Sequence, residues 1–428
     1  MLMSEFRYFT SQLYQSGSTP NPVIAEIPFT NVAFDAQLNS IGTFTGEVLL
    51  SGLDFVSNSS GLLTDKMNIF NGTQPGQTIL WIDYNGVLIW SGVIWQREWD
   101  TSTQILKITG QEMLSYFKRR KITDTLSFPS SSLISNSSDP VLIANYLMTY
   151  YAQGKDSSFP KTHGNIGLLA ESSPATDHLS ITREYFDFEL KEIYQAVKDL
   201  SDGLDSNTTD PYFDFVIKPS YNSNNLPVNT LHFMIPNDSS NTVALQFPGN
   251  LVEYSYTEDG SSMVNTLFGL GYGSNALKTI AVATDDASVY PTYWGSISSY
   301  GNGALLEDSA SFIDIQNLGL LETSTLGQLN ALSHAPTTIQ AVIAPYVDPY
   351  LGTFNLGDDA NILIIDDMFP NGFPYTSAGS VFPGIYNALW RVVAISVQPG
   401  EDKESRVTIT LSQPYVNFGN VTQKTVTG

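Results

Sequence analysis

The chain contains no cysteine in its 428 residues. Disulfide scaffolds, cysteine-ligated zinc, iron–sulfur clusters and thiol catalysis are therefore excluded. Charge is scarce as well, because only 14% of the residues are charged and 42 Asp and Glu outnumber 19 Lys and Arg. The net charge of −23 argues against a surface that grips nucleic acid by its phosphates, and it suits one to which phosphates do not adhere.

Signals for membranes, secretion and chemistry are also missing. No run of 18 apolar residues predicts a membrane span, and no basic segment followed by an apolar stretch predicts a secretory signal. The four histidines form no metal pair such as H-E-x-x-H, and G-x-S-x-G does not occur. Gly269–Gly273 has only part of a dinucleotide pattern, and the Asp358-Asp359 and Asp366-Asp367 pairs favour acidic turns over a calcium site. We predict no catalytic residue, no cofactor and no metal ligand.

What the chain does have is apolar and aromatic residues, at 42% and 12%. Such a chain folds, and its length allows roughly two to four domains. We predict a mainly β fold with an α+β insertion: a first β-barrel over residues 1–124, a smaller α+β domain over 125–244, and a second β-barrel over 245–428.

The clearest local signal is a β-hairpin. Ile79–Tyr84 and Val87–Trp90 flank Asn85-Gly86, which accepts the positive φ angles of a type I′ turn. Both faces of its arms are apolar, so one face can fill a barrel core and the other needs cover from another element or subunit. We therefore predict an inter-subunit contact at this hairpin, carried by Leu80, Ile82, Leu88 and Trp90.

A basic run ends the short helix predicted from about residue 111. Lys118, Arg119, Arg120 and Lys121 stand where cations complement the helix dipole. Two interpretations stay open, namely a solvated helix end and a contact with an acidic neighbouring subunit.

The α+β domain is predicted from two helices and two strands. Asp139-Pro140 supplies an N-cap and a first-turn proline for one helix, and the second helix starts near Asp187. Strands over 212–218 and 231–235 pair across a polar loop.

The second β region resumes at about Leu245 and contains a long predicted loop over about 276–315. The aromatic residues Tyr290, Tyr293, Trp294 and Tyr300 in this loop could contact a partner or stack on a glycan. An ungapped alignment of 84–111 with 386–413 matches five identities, and both segments are predicted as strand, acidic turn, strand. The two β-barrels are therefore predicted to be related.

Three stretches carry a family resemblance. They are 82–95 with 106–110, then 252–273, and finally the helix over 325–335 with Gly357-Asp358 and the C-terminal strand pair. Together they resemble the tail-hub, or baseplate-hub, minor tail proteins of long-tailed bacteriophages, in which the barrels are tail-tube-like.

The resemblance implies a homotrimer whose two barrels per subunit form a pseudo-hexameric ring. The ring would lie at the distal tail tip of a siphophage virion after assembly in the host cytoplasm. It would join the distal tail protein and tail tube to the tape-measure C-terminus and to the tip or receptor-binding proteins. Genomic DNA would pass through its channel without specific binding, and no enzymatic activity is implied.

Two alternatives remain. One is a distal-tail or receptor-binding minor tail protein that contacts cell-wall carbohydrate through the loop aromatics. The other is a β-rich carbohydrate hydrolase. Under the hub hypothesis, lumen-facing positions should be rich in Asp, Glu, Asn and Ser and poor in Lys and Arg.

Overall fold

The computed structural model describes most of the chain. The described residues are 6–51, 66–129, 139–154, 164–171, 181–202, 213–234, 242–273, 278–284, 305–312, 315, 317–332, 337–344, 347–370, 390–400, 405–412 and 422–425.

These residues are mainly β, as predicted. The strands are β1 (Phe6–Gln12), β2 (Val23–Glu26), β3 (Thr30–Gln37), β4 (Thr43–Leu49), β5 (Thr78–Tyr84), β6 (Val87–Asp100), β7 (Ile105–Glu112), β8 (Leu126–Phe128), β9 (Leu168–Ala170), β10 (Arg183–Tyr185), β11 (Asp214–Tyr221), β12 (Pro227–Met234), β13 (Thr242–Phe247), β14 (Leu251–Glu258), β15 (Thr266–Leu270), β16 (Ile280–Thr284), β17 (Glu307–Ser311), β18 (Thr337–Ile343), β19 (Asp359–Ile364), β20 (Trp390–Gln398), β21 (Arg406–Ser412) and β22 (Thr422–Thr425).

The helices are few and short. They are α1 (Lys66–Gly72), α2 (Leu114–Phe117), α3 (Pro140–Asn145) with a π-helical turn (Tyr146–Tyr151), a 3-10 turn (Asp187–Glu189), α4 (Ile193–Ser201) and α5 (Leu318–Leu332). Asp139 caps α3 as predicted, its carboxylate accepting from the Val141 amide at 2.8 Å. The helix predicted from Asp187 starts later, because Leu190 adopts a left-handed conformation (φ 46°) that separates the 3-10 turn from α4.

Two groups of six strands among the described residues repeat one pairing order. The first unit runs β3-β4-β7-β6-β5-β1 across the sheet, and the second runs β14-β18-β21-β20-β19-β13. Corresponding strands also follow one another in the same order along the chain. Neighbouring strands within the units are antiparallel except β13 and β19, which are parallel. The predicted sequence repeat thus lies in corresponding hairpins, β6–β7 and β20–β21.

A β-bulge marks the same place in both hairpins. The extra residue is Trp95 in β6 and Val393 in β20. Matching the bulges makes Leu106 equivalent to Val407, and both point into the core. The ungapped sequence alignment pairs Leu106 with Thr408 and Gln96 with Gln398 instead, whereas the bulges make Gln96 equivalent to Ala394. The repeat is therefore confirmed, but its register is corrected by four residues in the first strand of the hairpin and by one in the second. A shift of one residue would exchange the two faces of a strand.

The two units are joined edge to edge in one sheet. β3 of the first unit pairs with residues 394–397 of β20 in the second, with Phe34 opposite Val397 and Gln37 opposite Ala394. The inward residues of both units, including Trp90 and Trp390, form one hydrophobic core. The described pairings leave this sheet open at β14 and at β2, so they do not close either of the two predicted barrels. The boundaries after residues 124 and 244 stay predictions.

Two α+β insertions accompany the sheet. The middle insertion carries a β11-β12-β9 sheet, a β8–β10 pair and α2 to α4, and it packs a second core against the first unit. The other insertion, between β14 and β18, carries β15, β16, β17 and α5. Its β17-β15-β16 sheet is completed by β22, which follows β21 in the chain. β16 and β17 lie inside the segment predicted as a long loop, which is therefore corrected at those residues.

Candidate functional site

The joined sheet has one apolar face and one polar face. Along β21, Val407, Ile409 and Leu411 are buried in the core, while Thr408 and Thr410 point the other way, as the alternation predicted. The same alternation continues through eight neighbouring strands, from β14 at one side to β6 at the other. Eight strands span roughly 34 Å between the outermost two.

We call the outward residues of these strands the polar face. They are Glu253, Ser255 and Thr257 of β14, Thr338, Gln340 and Val342 of β18, Arg406, Thr408, Thr410 and Ser412 of β21, Ala394, Ser396 and Gln398 of β20, Ala33, Asp35 and Gln37 of β3, Thr43, Thr45, Glu47 and Leu49 of β4, Ile105, Lys107, Thr109 and Gln111 of β7, and Gln96, Glu98 and Asp100 of β6.

The charge of the polar face is sparse and acidic. It carries five carboxylates and only two cations, and each cation is paired with a carboxylate of the face. Lys107 lies 3.7 Å from Glu47, and Arg406 contacts Glu253. The remaining side chains are hydroxyls, amides, two alanines and the aliphatic residues Leu49, Ile105 and Val342. The face therefore offers phosphates no unpaired cation.

Polar groups of the face also bond to one another. At the joint between the units, the Asp35 carboxylate accepts from the Gln37 side chain at 2.7 Å and from the Thr43 amide at 3.1 Å. These hydrogen bonds occupy both oxygens of the Asp35 carboxylate.

A buried acid lies directly beneath this point. Glu112, the last residue of β7, accepts from the Gly42 amide at 2.7 Å in the β3–β4 turn. Burial, with a smaller contribution from Asp35, raises the pKa of Glu112 to about 8. At neutral pH its carboxyl is therefore mainly protonated.

A buried ion pair connects the second unit to the middle insertion. Arg391 of β20 donates to Asp214 of β11 at 2.7 Å. Asn39, in the β3–β4 turn, donates to the same carboxylate and accepts from the Phe215 amide at 2.7 Å. Burial raises the pKa of Asp214, and Arg391 and Asn39 oppose that rise. The cluster thus holds three parts of the fold at the joint.

The predicted hairpin forms as expected at its turn. Asn85 and Gly86 adopt positive φ angles of 53° and 86°, and Gly86 donates to Asp83 at 2.8 Å. Its two faces enter two different cores of the same chain. Leu80, Ile82 and Trp90 lie in the core of the sheet. Leu88 lies in the core of the middle insertion.

The predicted inter-subunit contact of these four side chains is thus replaced by an intrachain one, because all four are buried within one chain. The cover that the sequence required comes from the middle insertion. Polar contacts fix it in place, since Tyr221 donates to Asp83 at 2.6 Å and Ser91 donates to Asn229 at 2.6 Å. Burial raises the pKa of Tyr221, and the Asp83 carboxylate adds to the rise.

The basic run follows α2 and contacts its own chain. Arg120 donates to the Ala152 carbonyl through two nitrogens, at 2.8 and 3.1 Å, at the end of the π-helical turn. Lys121 lies 2.8 Å from Glu192, and Lys118 and Arg119 lie over aromatic rings. Lys118, Arg119 and Lys121 also remain exposed, so the subunit contact stays a prediction.

The loop aromatics Tyr290, Tyr293, Trp294 and Tyr300 lie outside the described residues. The acidic turns do appear: Asp358 accepts from the Asn355 amide at 2.8 Å, and Asp366 accepts from the Phe369 amide at 2.8 Å. No group of three or more His, Asp or Glu side chains that could hold a metal ion occurs in the described part of the chain. Within the same part, none of the helices has the length and apolarity needed to cross a bilayer.

Sequence reasoning missed the buried polar residues. Glu112 takes an inward position of β7 after Leu106 and Ile108, and Arg391 stands inside the apolar run of β20. A lone charge at such a position is a usable signal, because it must find a partner or change protonation state. Asn39 and Asp214 lie in loops and strand ends, where polar residues are ordinary, and carry no such signal.

No protein-family model matches the chain, and no curated protein matches it. Solved structures do match over nearly the whole chain. A tail protein from Neisseria meningitidis MC58 covers 95% of this chain and 96% of its own, with 11% identity and a TM-score of 0.50. The 43 kDa tail protein of prophage MuSo2 from Shewanella oneidensis covers 95% and 98%, with 10% identity and a TM-score of 0.51. The chain shares the fold of these two proteins.

Proposed function

We propose that this chain is a structural bacteriophage tail protein that acts as a tail hub. Three copies form a ring at the distal end of the tail, and the polar face lines the channel through which DNA leaves. The observation that carries the proposal is the polar face itself, which continues across two equivalent units and offers no unpaired cation. The two solved relatives, both described as tail proteins, share this fold.

The mechanism is electrostatic and mechanical. A protein gains affinity for DNA by neutralising phosphates with Lys or Arg and releasing counterions. On the polar face both cations are already paired, so DNA gains no such contact there. The hydroxyls and amides of the polar face bind water, and its excess of carboxylates repels the phosphates of DNA. The wall therefore lets DNA pass without holding it, and no catalytic step is required.

The two units supply the symmetry. Each chain carries two copies of one pairing order, so a trimer presents six units. Such a ring can continue a six-fold tube on one side and receive three-fold tip proteins on the other. Head-to-tail contacts that close generate a ring of this kind.

Light scattering and electron microscopy of the purified protein test the proposal. We expect a closed ring of three chains with the polar face toward the lumen, and the protein at the distal end of the tail in virions. A protein that stays monomeric at high concentration and is absent from virions would overturn it. A ring whose lumen is lined by cations would overturn the channel role.

A further inference from the structure

One chain already contains a joint between two units. In it, the edge strand β3 of the first unit pairs with residues 394–397 of β20 in the second. Phe34 lies opposite Val397, and both point into the core with exposures of 5% and 0%. Ser396 lies opposite Asp35 on the polar face. The joint therefore shows how the edge of one unit is covered by the hairpin of another.

In the described part of the chain, the equivalent edges at the two ends of the polar face, β14 and residues 96–99 of β6, have no such cover. β14 corresponds to β3, and residues 96–99 of β6 correspond to 394–397 of β20. Among the described residues, β14 pairs only with β18, and residues 96–100 pair only with β7. The described residues of one chain thus supply only one strand of a joint at each end of the polar face. Unpaired edges of this kind are places where another chain adds to a sheet.

Residues at the uncovered edges are more exposed than the equivalent residues in the internal joint. Trp99 occupies the position of Val397 but is 46% exposed, whereas Val397 is 0% exposed. Tyr256 occupies the position of Phe34 and is only partly buried. Trp99 is exposed, whereas the equivalent residue of the second unit is buried. Such a difference indicates a surface that becomes buried in an assembly.

We propose that β14 of one copy pairs antiparallel with residues 96–99 of a second copy, so that the joint inside the chain is repeated between chains. Applying the internal register places Tyr256 opposite Trp99, Thr257 opposite Glu98, and Glu258 opposite Arg97. This pairing rests on the proposed ring and specifies the residues that build it.

The charges at the two edges favour this pairing over alternatives. The Arg97 guanidinium lies 3.9 Å from the centre of the Phe70 ring and donates to the Phe70 carbonyl at 2.6 Å, which holds it at the edge. Within the described residues it contacts no carboxylate, and the proposed register brings it to Glu258. Two β14 edges facing each other would bring acids together instead, since β14 carries Glu253 and Glu258. Repulsion of that kind selects the heterologous contact that closes a ring.

Cysteine cross-linking tests the register, since the chain has no cysteine of its own. The double variant Glu98→Cys, Thr257→Cys places one thiol at each end of the sheet, roughly 34 Å apart within a chain. The matched control is Asp35→Cys, Ser396→Cys, the same pair in the internal joint. Both are treated with a short bis-maleimide and separated under denaturing conditions.

We expect the end-to-end variant to give covalent species of two and three chains, and the control to consume its thiols while staying a single chain. Each single-cysteine variant should form no three-chain species. If light scattering shows the ring but the end-to-end variant stays uncross-linked, the interface is wrong and the proposed ring stands. If the parent protein does not assemble, the proposed function fails and the interface with it.

A charge exchange tests the Arg97–Glu258 contact separately. Arg97→Glu should weaken assembly at least about tenfold, because like charges then face each other across the joint. Adding Glu258→Arg should restore it, and Lys198→Glu, on α4, should leave assembly unchanged. Far-ultraviolet circular dichroism confirms that each variant is folded. Failure of the exchange variant to recover, while both single variants assemble poorly, would overturn the proposed register.

Discussion

The Arg391 guanidinium and the Asp214 carboxylate lie 2.7 Å apart, and both side chains are buried. Arg391 belongs to the second unit and Asp214 to the middle insertion, which folds from sequence between the two units. The pair therefore connects segments that are far apart along the chain. Removing one partner leaves the other buried and uncompensated, which costs far more than breaking an exposed pair.

Arg391→Met should lower the free energy of unfolding by about 3–5 kcal/mol, measured with denaturant at one fixed protein concentration. The control Lys198→Met breaks the exposed pair with Asp202 and should cost about 1 kcal/mol or less. Combining Arg391→Met with Asp214→Leu should recover part of the loss. Equal losses for the buried and exposed pairs would contradict the assignment.

Glu112 should make stability fall as the pH rises. Folding raises the pKa of this carboxyl from 4.5 to about 8, so the folded protein keeps a proton that the unfolded chain releases. Its contribution is complete below about pH 4.5, declines through the window between the two values, and is lost above about pH 8. Within the window the slope is roughly 1.4 kcal/mol per pH unit.

Glu112→Gln removes this titration and keeps an oxygen that can accept from the Gly42 amide. We therefore measure the free energy of unfolding of both proteins from pH 5 to pH 8. The value for the variant minus the value for the parent should increase as the pH rises. Glu98→Gln, on the exposed polar face, provides the control and should follow the parent curve. Parallel curves for the parent and Glu112→Gln would show that Glu112 is ionised in the folded protein.

Two adjacent arginines of the basic run should differ in their effect on stability. Arg120→Ala removes two hydrogen bonds to the Ala152 carbonyl and should cost about 1–3 kcal/mol. Arg119→Ala removes an exposed contact with Trp95 at 5.5 Å and should cost about 1 kcal/mol or less. Thermal or denaturant unfolding of both variants measures the difference. A ring-defective but stable Arg119→Ala would favour the subunit-contact interpretation of the run.

Cations placed on the polar face should make the ring bind DNA. Thr45→Lys, Thr109→Lys, Thr410→Lys adds three unpaired cations per chain, and we expect salt-dependent retention of duplex DNA that the parent lacks. Electrophoretic mobility shift at several salt concentrations measures it. The control variant Ser220→Lys, Ser223→Lys, Asn224→Lys changes residues near the β11–β12 turn and has the same net charge as the polar-face variant. Equal retention by the control would mean that net charge alone decides binding.

Local patterns were sufficient for the individual strands and turns. The Asn85-Gly86 turn, the alternation of β21 and the cap at Asp139 all involve residues within a few positions of one another, and all three are confirmed. The register of the repeat was off, because the β20–β21 hairpin is three residues longer than the β6–β7 hairpin between equivalent positions: Gln96 pairs with Thr109, whereas Ala394 pairs with Thr410. An ungapped alignment cannot accommodate a difference in turn length, and only the strand pairing shows which residues are equivalent.

The cover of the hairpin shows the same limit at a larger scale. Its apolar residues established that both faces must be buried, but they could not say whether a subunit or the same chain would cover them. In the structure the middle insertion covers one face, through contacts such as Ser91 with Asn229, and the sheet core covers the other. The four residues predicted at a subunit contact are therefore buried within their own chain. The hydrophobic effect is not directional, so a pattern of apolar residues does not specify which surface will cover it.

The sequence by itself determined a mainly β chain with two related β-rich regions, a polar and acidic surface, and a hairpin that needs cover on both faces. Those properties follow from composition, alternation and turn chemistry, which are local. Only the tertiary structure decided that β3 pairs with β20, which joins two units into one sheet and makes their outward residues a single face. Edge pairing is made by backbone N–H and C=O groups that all residue types except proline carry in full. The side chains of strands far apart in sequence therefore do not reveal which edges pair.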